Sequence, residues 1–202
     1  MVFDLKHSTP CVSALKPIID EPMFGQAFTC KGQKIICADD FDDTKRIKML
    51  KDFTKGCIQV LESDGEQSVA LYGNVSGLLA KTFGAVGAVI DGPIRDMALL
   101  QRDRFQVFCN DIHPVSALYE WQITNWQVPI KLRGVQGYIT VYPNDYIFGD
   151  SDGIIVIPSN MVIEVCELAE ERAKKEQEVC NQIVQAKTIE KILKMKDEVV
   201  VW

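Results

Sequence analysis

The sequence predicts an α/β or α+β layered domain. Three observations carry that expectation. In the first half, short apolar runs alternate with helical stretches across Gly- and Asn-marked turns. From 128 to 158 the chain "VPIKLRGVQGYITVYPNDYIFGDSDGIIVIP" breaks into short extended runs at Gly, Pro-Asn-Asp and Ser-Asp-Gly. That punctuation reads as hairpins or a β-layer. From 160 to 195 the composition shifts to Glu, Lys, Ala and Gln, with apolar residues at helical spacing.

The elements follow in order. "QAFTCKGQKIICA" (26–38) reads as strand, Lys-Gly turn, strand. In "DFDDTKRIKMLKDF" (40–53), Asp43 caps a short helix whose Ile47, Leu50 and Phe53 share one face. "GCIQVLES" (56–63) is a buried strand ending in a Ser-Asp-Gly turn. "SVALYGNVSGLLAKTFGAVGAVIDG" (68–92) reads as strand, Gly-Asn, helix, Gly, strand. "RDMALLQRD" (95–103) is a short helix and "FQVFCND" (105–111) a strand. In the last stretch Val162, Val165, Leu168, Ala169, Val179, Ile183 and Ile192 mark one or two amphipathic helices. Packing on a neighbouring subunit and packing on the chain's own core both remain open. The domain organisation expected is a single domain over 1–202, with 160–202 as a C-terminal helical extension.

Composition narrows the function classes. A chain of 202 residues with 47% hydrophobic and 25% charged residues is ordinary globular material, long enough to fold without disulfides or metal. A formal net charge of −6 argues against a nucleic-acid partner, since phosphate binding needs a basic face. Seven cysteines, an odd number with no CxxC pair, make neither a disulfide framework nor a zinc ribbon. Cys37, Cys57 and Cys109 are read as small hydrophobes inside strands. The start "MVFDLKHSTP" lacks an apolar signal core, and no apolar run reaches the roughly 20 residues of a membrane span. A reducing, cytoplasmic setting is expected.

Two motifs carry chemistry. In "YGNVSGLLAKTFG", Gly73-Asn74 opens a helix with Asn74 as cap, leaving the amides of Val75, Ser76 and Gly77 free to bind an anion. In "DGPIRD", Arg95 offers a planar fork for a carboxylate and Asp96 a hard oxygen for a divalent cation. Taken singly, an ordinary cap and a surface Arg-Asp pair account for them. Together they follow two strands that an intervening helix would set parallel and adjacent, with both ends opening on one edge.

Other groups read as structural. His7 and His113 lack catalytic partners and suit surface or capping roles. Asp150 and Asp152 in "GDSDG" belong to a turn, because the remaining ligands of a calcium loop are missing. "GAVGAVIDG" lacks the GxGxxG turn that a nucleotide-binding loop, and so a methyltransferase reading, would require.

Asn74, twenty intervening residues and then Arg95-Asp96 form a pattern that resembles the class II 4-hydroxy-4-methyl-2-oxoglutarate aldolases. That family includes the regulator of ribonuclease activity A proteins. Its Gly-Asp helix start and "GVVIDGAVRD"-like segment are similar to "GNVSGLLAKTFGAVGAVIDGPIRD", and "VYPNDYIFGDSDGIIVIP" is similar to its "V-x-PGD-x-V-x-x-D-x-DGVVVIP". The resemblance covers roughly residues 20–180 and is specific in the central block. It implies a β/β/α three-layer fold like the swivelling phosphohistidine domain, assembled as a homotrimer or hexamer. It implies that Gly73, Asn74, Val75, Ser76 and Arg95 contact a small 2-keto acid, and that Asp96 anchors Mg²⁺ or Mn²⁺. The implied activity is a metal-dependent lyase reaction through a pyruvate enolate, by retro-aldol cleavage or oxaloacetate decarboxylation, with Arg95 and Asp96 as the catalytic pair. Glu171 or Glu176 would reach a neighbour's site as acid or base, or lie on a solvated helix face. Asn74 stands where the aldolases carry Asp, which removes a charge and a base. The alternative implied by the family is a non-catalytic regulator that binds a ribonuclease or helicase.

Overall fold

The computed structural model describes residues 12–13, 15–135, 137–186, 188–189 and 191–192. The chain divides into two units, residues 1–159 and 160–202. The first contains β1 (Val12–Ser13), β2 (Lys16–Pro17), β3 (Met23–Lys34), α1 (Thr44–Met49), β4 (Cys57–Glu62), α2 (Asn74–Thr82), β5 (Gly87–Ile90), β6 (Pro93–Ile94), α3 (Met97–Arg102), β7 (Gln106–Cys109), β8 (Asp111–Ile112), β9 (Trp121–Trp126), β10 (Ile130–Gly134), β11 (Gly137–Val141), β12 (Tyr146–Asp150) and β13 (Gly153–Ile157). The second contains α4 (Val162–Ala186), one continuous helix.

The fold is mixed α/β. Among the described residues the main sheet runs β1-β13-β12-β3-β4-β5-β7-β2, with β9 also on β3. Strands β3, β4, β5 and β7 are mutually parallel. Parallel neighbours require crossovers, and α1, α2 and α3 supply them between successive strands. Of these, β4, β5 and β7 are buried on both faces almost throughout, which explains their mostly apolar sequences.

Side-chain alternation sorts the interior into two cores. On one face Phe28, Leu61, Ala88, Ile90 and Val107 meet Met49, Ala80 and Leu100 of the helices. On the other, Ala27, Ile58, Val60, Val89 and Phe108 meet Ile130, Leu132, Ile139 and Val141 of the β10–β11 hairpin. The sheet is therefore sandwiched between helices and a second β layer. Buried Asp91 helps hold that layer by accepting from the Arg133 backbone N–H and Nε, each at 3.0 Å.

Several expectations are corrected. Residues 26–38 form no hairpin: β3 runs on to Lys34, with a register shift between Lys31 and Gly32 where it passes onto β9. At Gly32 a Cβ would lie 2.2 Å from the Trp121 ring and the Gln122 carbonyl oxygen, so this glycine serves a close approach. Residues 68–72 make only isolated bridges, Ala70 to Ser116 and Tyr72 to Ile94. Asp43 makes no side-chain cap on α1. Asp42 accepts the Thr44 N–H at 2.9 Å, and Asp43 turns to Arg46. On α1 the buried positions are Met49 and the following Leu50, while Ile47 stays exposed. Cys37 lies outside the strands and is exposed.

The remaining turns agree with expectation. Asp152 N–H donates to Asp150 Oδ1 at 2.9 Å inside the β12–β13 turn. His113 Nδ1 accepts the Val115 N–H at 3.2 Å, a local capping role. His7 and the N-terminal stretch to residue 11 lie outside the described residues. Among the described residues no helix is long and apolar enough to cross a membrane.

Burial separates the thiols. Desolvation pushes Cys30 up to about 12 and Cys109 up to about 11, and raises Cys57 as well. At pH 8, an aromatic disulfide reagent should label Cys37 and Cys180 on the folded chain and reach Cys30, Cys57 and Cys109 only after denaturation. The folded state keeps protons on these thiols that the unfolded chain releases near pH 9. Their contribution is complete below that pH and is lost as the pH rises toward 12, so the urea midpoint should fall from pH 8 to pH 10.5.

Candidate functional site

Backbone pairing brings the two sequence motifs together. Leu71 N–H donates to the Pro93 carbonyl at 2.9 Å, and Arg95 N–H donates to the Tyr72 carbonyl at 2.9 Å. This short parallel pairing sets Gly73 beside Arg95 and Asp96. A Cβ built on Gly73 would lie 2.8 Å from Asp96 Oδ2 and 3.0 Å from Arg95 Cγ. With φ −158° and ψ −172°, Gly73 is simply extended, so space and not backbone strain demands glycine here.

The helix start differs in detail from expectation. Gly73 is the N-cap of α2 and Asn74 its first helical residue. Gly77 N–H is consumed by the Gly73 carbonyl at 3.0 Å, and Asn74 N–H by Asp96 Oδ2 at 3.2 Å. Among the described residues no protein acceptor meets the amides of Val75 and Ser76. These two donors, at the positive end of a nine-residue helix, form the available anion cradle.

Asp96 sits in the left-handed region, φ 60° and ψ 30°, which Asp tolerates better than most residues. That turn places Oδ2 against the Asn74 amide and 3.7 Å from Arg95 Nε. Among the described residues its Oδ1 has no protein partner. Asn74 Oδ1 is buried and also lacks a hydrogen-bond partner among the described residues, a state that asks for an explanation in a folded protein.

The donors fit one kind of cation. Among the described residues no three His, Cys, Asp or Glu side chains gather as a ligand cage. One carboxylate with a free oxygen and one orphaned amide oxygen are hard ligands, few in number. Such a set suits Mg²⁺ or Mn²⁺ that retains most of its waters, and does not suit the multi-ligand sites of Ca²⁺ or structural Zn²⁺.

The motifs border a cavity of about 290 Å³. Gly73, Val75, Ser76 and Arg95 line it, whereas Asn74 and Asp96 are not among its lining residues. The sequence reading missed the other walls. Gln59 and Tyr72 form a buried polar floor, with Tyr72 Oη donating to Gln59 Oε1 at 3.2 Å. Burial pushes the Tyr72 hydroxyl up, so it stays protonated as a donor. Arg46 enters from α1. Its Nε and Nη2 donate to Asp43 at 2.7 and 2.6 Å, and its Nη1 to Ser76 Oγ at 3.3 Å. Asp43 raises the Arg46 pKa further, against a smaller opposing effect of burial. At the mouth, hydrogen bonds from Thr44 hold the Asp42 carboxyl below its usual range. The i,i+3 spacing of Asp43 and Arg46 was a sequence signal for their pairing. Nothing local pointed Arg46 at Ser76, thirty residues away.

Glu171 and Glu176 lie on α4, in the second unit. Glu171 Oε1 accepts from Lys175 Nζ at 2.6 Å, an exposed i,i+4 pair that lowers its pKa. That is the solvated-face arrangement.

Comparison with known proteins gives a consistent picture. A family model described as RraA-like, Aldolase/RraA, matches residues 2–156. A protein of Halalkalibacterium halodurans named "Putative 4-hydroxy-4-methyl-2-oxoglutarate aldolase" is 32% identical over 136 residues, covering 67% of this chain. The match spans only 60% of that relative's length. An uncharacterized protein from Pseudomonas syringae pv. tomato superposes with a TM-score of 0.77 at 23% identity, over 90% of this chain and 80% of its own. Streptomyces coelicolor RraAS2, described as an unusual member of the RNase ES inhibitor RraA protein family, gives a TM-score of 0.67 at 21% identity, over 82% of this chain and 81% of its own. These two structures share the fold.

The tight corner at Gly73 can be tested directly. Gly73→Ala should cost no more than about 1–3 kcal/mol of stability, because the clash is local. It should also displace the Arg95 and Asp96 side chains, which must move aside, while the sheet behind them stays in place. Denaturant unfolding reads the first effect and a crystal structure of the variant the second.

Proposed function

Because the chain belongs to the RraA-like family, Aldolase/RraA, we propose that it is a divalent-metal-dependent lyase that cleaves a C–C bond of a 2-keto acid. The carrying observation is that Arg95 lines one cavity together with Val75 and Ser76, the two residues whose helix-start amides have no protein acceptor among the described residues, while Asp96 is bonded to the amide of the adjoining Asn74. In this reading the amides and the Arg95 guanidinium take the substrate's 1-carboxylate and fix its plane. Asp96, whose Oδ2 accepts the Asn74 N–H, would hold Mg²⁺ or Mn²⁺ together with the unpartnered Asn74 Oδ1. When bound, the cation supplies Lewis-acid polarisation of the 2-oxo oxygen. The scissile bond breaks with its electron pair retained on the pyruvyl half as an enolate. Retro-aldol cleavage of a 4-hydroxy-2-oxo acid and decarboxylation of oxaloacetate share that outcome. Tyr72 and Gln59 satisfy each other at the floor, where the Tyr72 hydroxyl donates its hydrogen bond to Gln59 Oε1. Asn74 is no base, so the 4-hydroxyl proton of an aldol substrate passes to water.

The same reading takes the layered sheet as a swivelling phosphohistidine-domain-like fold, and the chain as a cytoplasmic homotrimer or hexamer. Asn74 favours a second reading. A scaffold without the acidic partner at this position suits a non-catalytic regulator that binds a ribonuclease or helicase, and the name of the Streptomyces relative belongs with that alternative.

Pyruvate release separates them. Wild type, Asn74→Asp and Arg95→Ala are assayed on oxaloacetate and on 4-hydroxy-4-methyl-2-oxoglutarate, with Mg²⁺ or Mn²⁺ and with EDTA. The lyase reading expects turnover that EDTA abolishes and that Arg95→Ala lowers by about a hundredfold or more. Turnover by Asn74→Asp alone would mean a scaffold that has lost its chemistry. Absence of turnover and of metal binding in every variant would leave the regulator.

A further inference from the structure

Arg46 is the cavity's second guanidinium, and the 2-keto acid reading above gives it no task. An arginine has two edges that can grip a carboxylate, one through Nε and Nη2 and one through both terminal nitrogens. Asp43 occupies the first edge with two bonds of 2.7 and 2.6 Å. That pairing fixes the guanidinium plane. Nη1 then points to Ser76 Oγ at 3.3 Å, so the second edge lies on the cavity wall beside the α2 amides. Asp43 is itself partly exposed, so solvent screens its charge and the pair retains donors for a further anion.

We propose that Arg46, fixed by Asp43 and turned toward Ser76, is a second carboxylate clamp that selects 2-oxo acids carrying a carboxylate at both ends. The proposal rests on the lyase reading of the same cavity. Arg95 and the Val75 and Ser76 amides hold the 1-carboxylate, and Arg46 holds the distal one. A distal carboxylate held this way stays with the departing half in a retro-aldol cleavage. In oxaloacetate the same group is the one that leaves as CO₂, and gripping it opposes its departure. Arg46 therefore biases the site toward 4-hydroxy-2-oxo diacids over simple decarboxylation.

The test uses pyruvate, with one carboxylate, and 2-oxoglutarate, a diacid that lacks the 4-hydroxyl and is not cleaved. Both are titrated calorimetrically into the full chain with Mg²⁺. Wild type should bind 2-oxoglutarate at least about tenfold more tightly than pyruvate, as charge-assisted hydrogen bonds imply. Arg46→Met should erase that preference while pyruvate affinity moves less than about twofold. Arg46→Lys, which keeps the charge without the fork, should restore part of it. Arg95→Met should weaken both ligands. A preference unchanged in Arg46→Met overturns the clamp and leaves the lyase reading standing, provided that binding still depends on Arg95. Equal weakening of both ligands by Arg46→Met and Arg46→Lys also overturns it, because a merely structural role predicts that result. Failure of wild type to bind either ligand sinks the lyase reading and the clamp with it.

Discussion

The site depends on a two-bond backbone pairing. Leu71 bonds to Pro93, and Arg95 bonds to Tyr72. These contacts dock the entrance of α2 against the exit of β6. Once they form, Gly73 has no room for a side chain, Asp96 reaches the Asn74 amide, and Arg95 faces the cavity. The parallel order of β4, β5 and β7 makes this possible, because it delivers the ends of successive strands to one edge of the sheet. The hairpin layer on the opposite face buries the sheet's other side and leaves the helix-side edge to carry the site.

The electrostatics are built from paired groups. Arg46 leans on Asp43 and Arg95 on Asp96, so neither guanidinium stands alone before a ligand arrives. Pairing restrains the long side chains and leaves donor edges unspent, which lowers the ordering cost of binding an anion. The unpaired groups point the same way. Two helix-start amides, one oxygen of Asp96 and the buried Asn74 Oδ1 lack protein partners among the described residues. In the proposed lyase reading, such unspent donors and hard acceptors would serve an anion and a cation together.

Much of this was legible locally. The Gly73-Asn74 helix start, the Arg95-Asp96 pair, the two hairpins after residue 128 and the long C-terminal helix all rest on near-neighbour chemistry. The misreadings share a cause. Gly32 looked like a turn because glycine often marks one, but here it admits the Trp121 ring. Residues 68–72 looked like a strand because they are apolar, yet they bury against the helix-side core with only isolated bridges. Cys37 looked buried by its apolar neighbours, but β3 ends at Lys34 and leaves it outside. In each case a distant partner, or the lack of one, overrode the local pattern.

The sequence by itself determined the layered α/β class, the helix-start and Arg-Asp motifs and the family they resemble, because periodicity, capping chemistry and spacing act over a few residues. Only the tertiary structure decided which residues wall the cavity. Arg46, Gln59 and Tyr72 come from separate elements, and their meeting is fixed by strand order and crossovers. It also decided that Gly73 caps α2 in place of Asn74, since the room available at that corner is set by Arg95 and Asp96, more than twenty residues further along the chain.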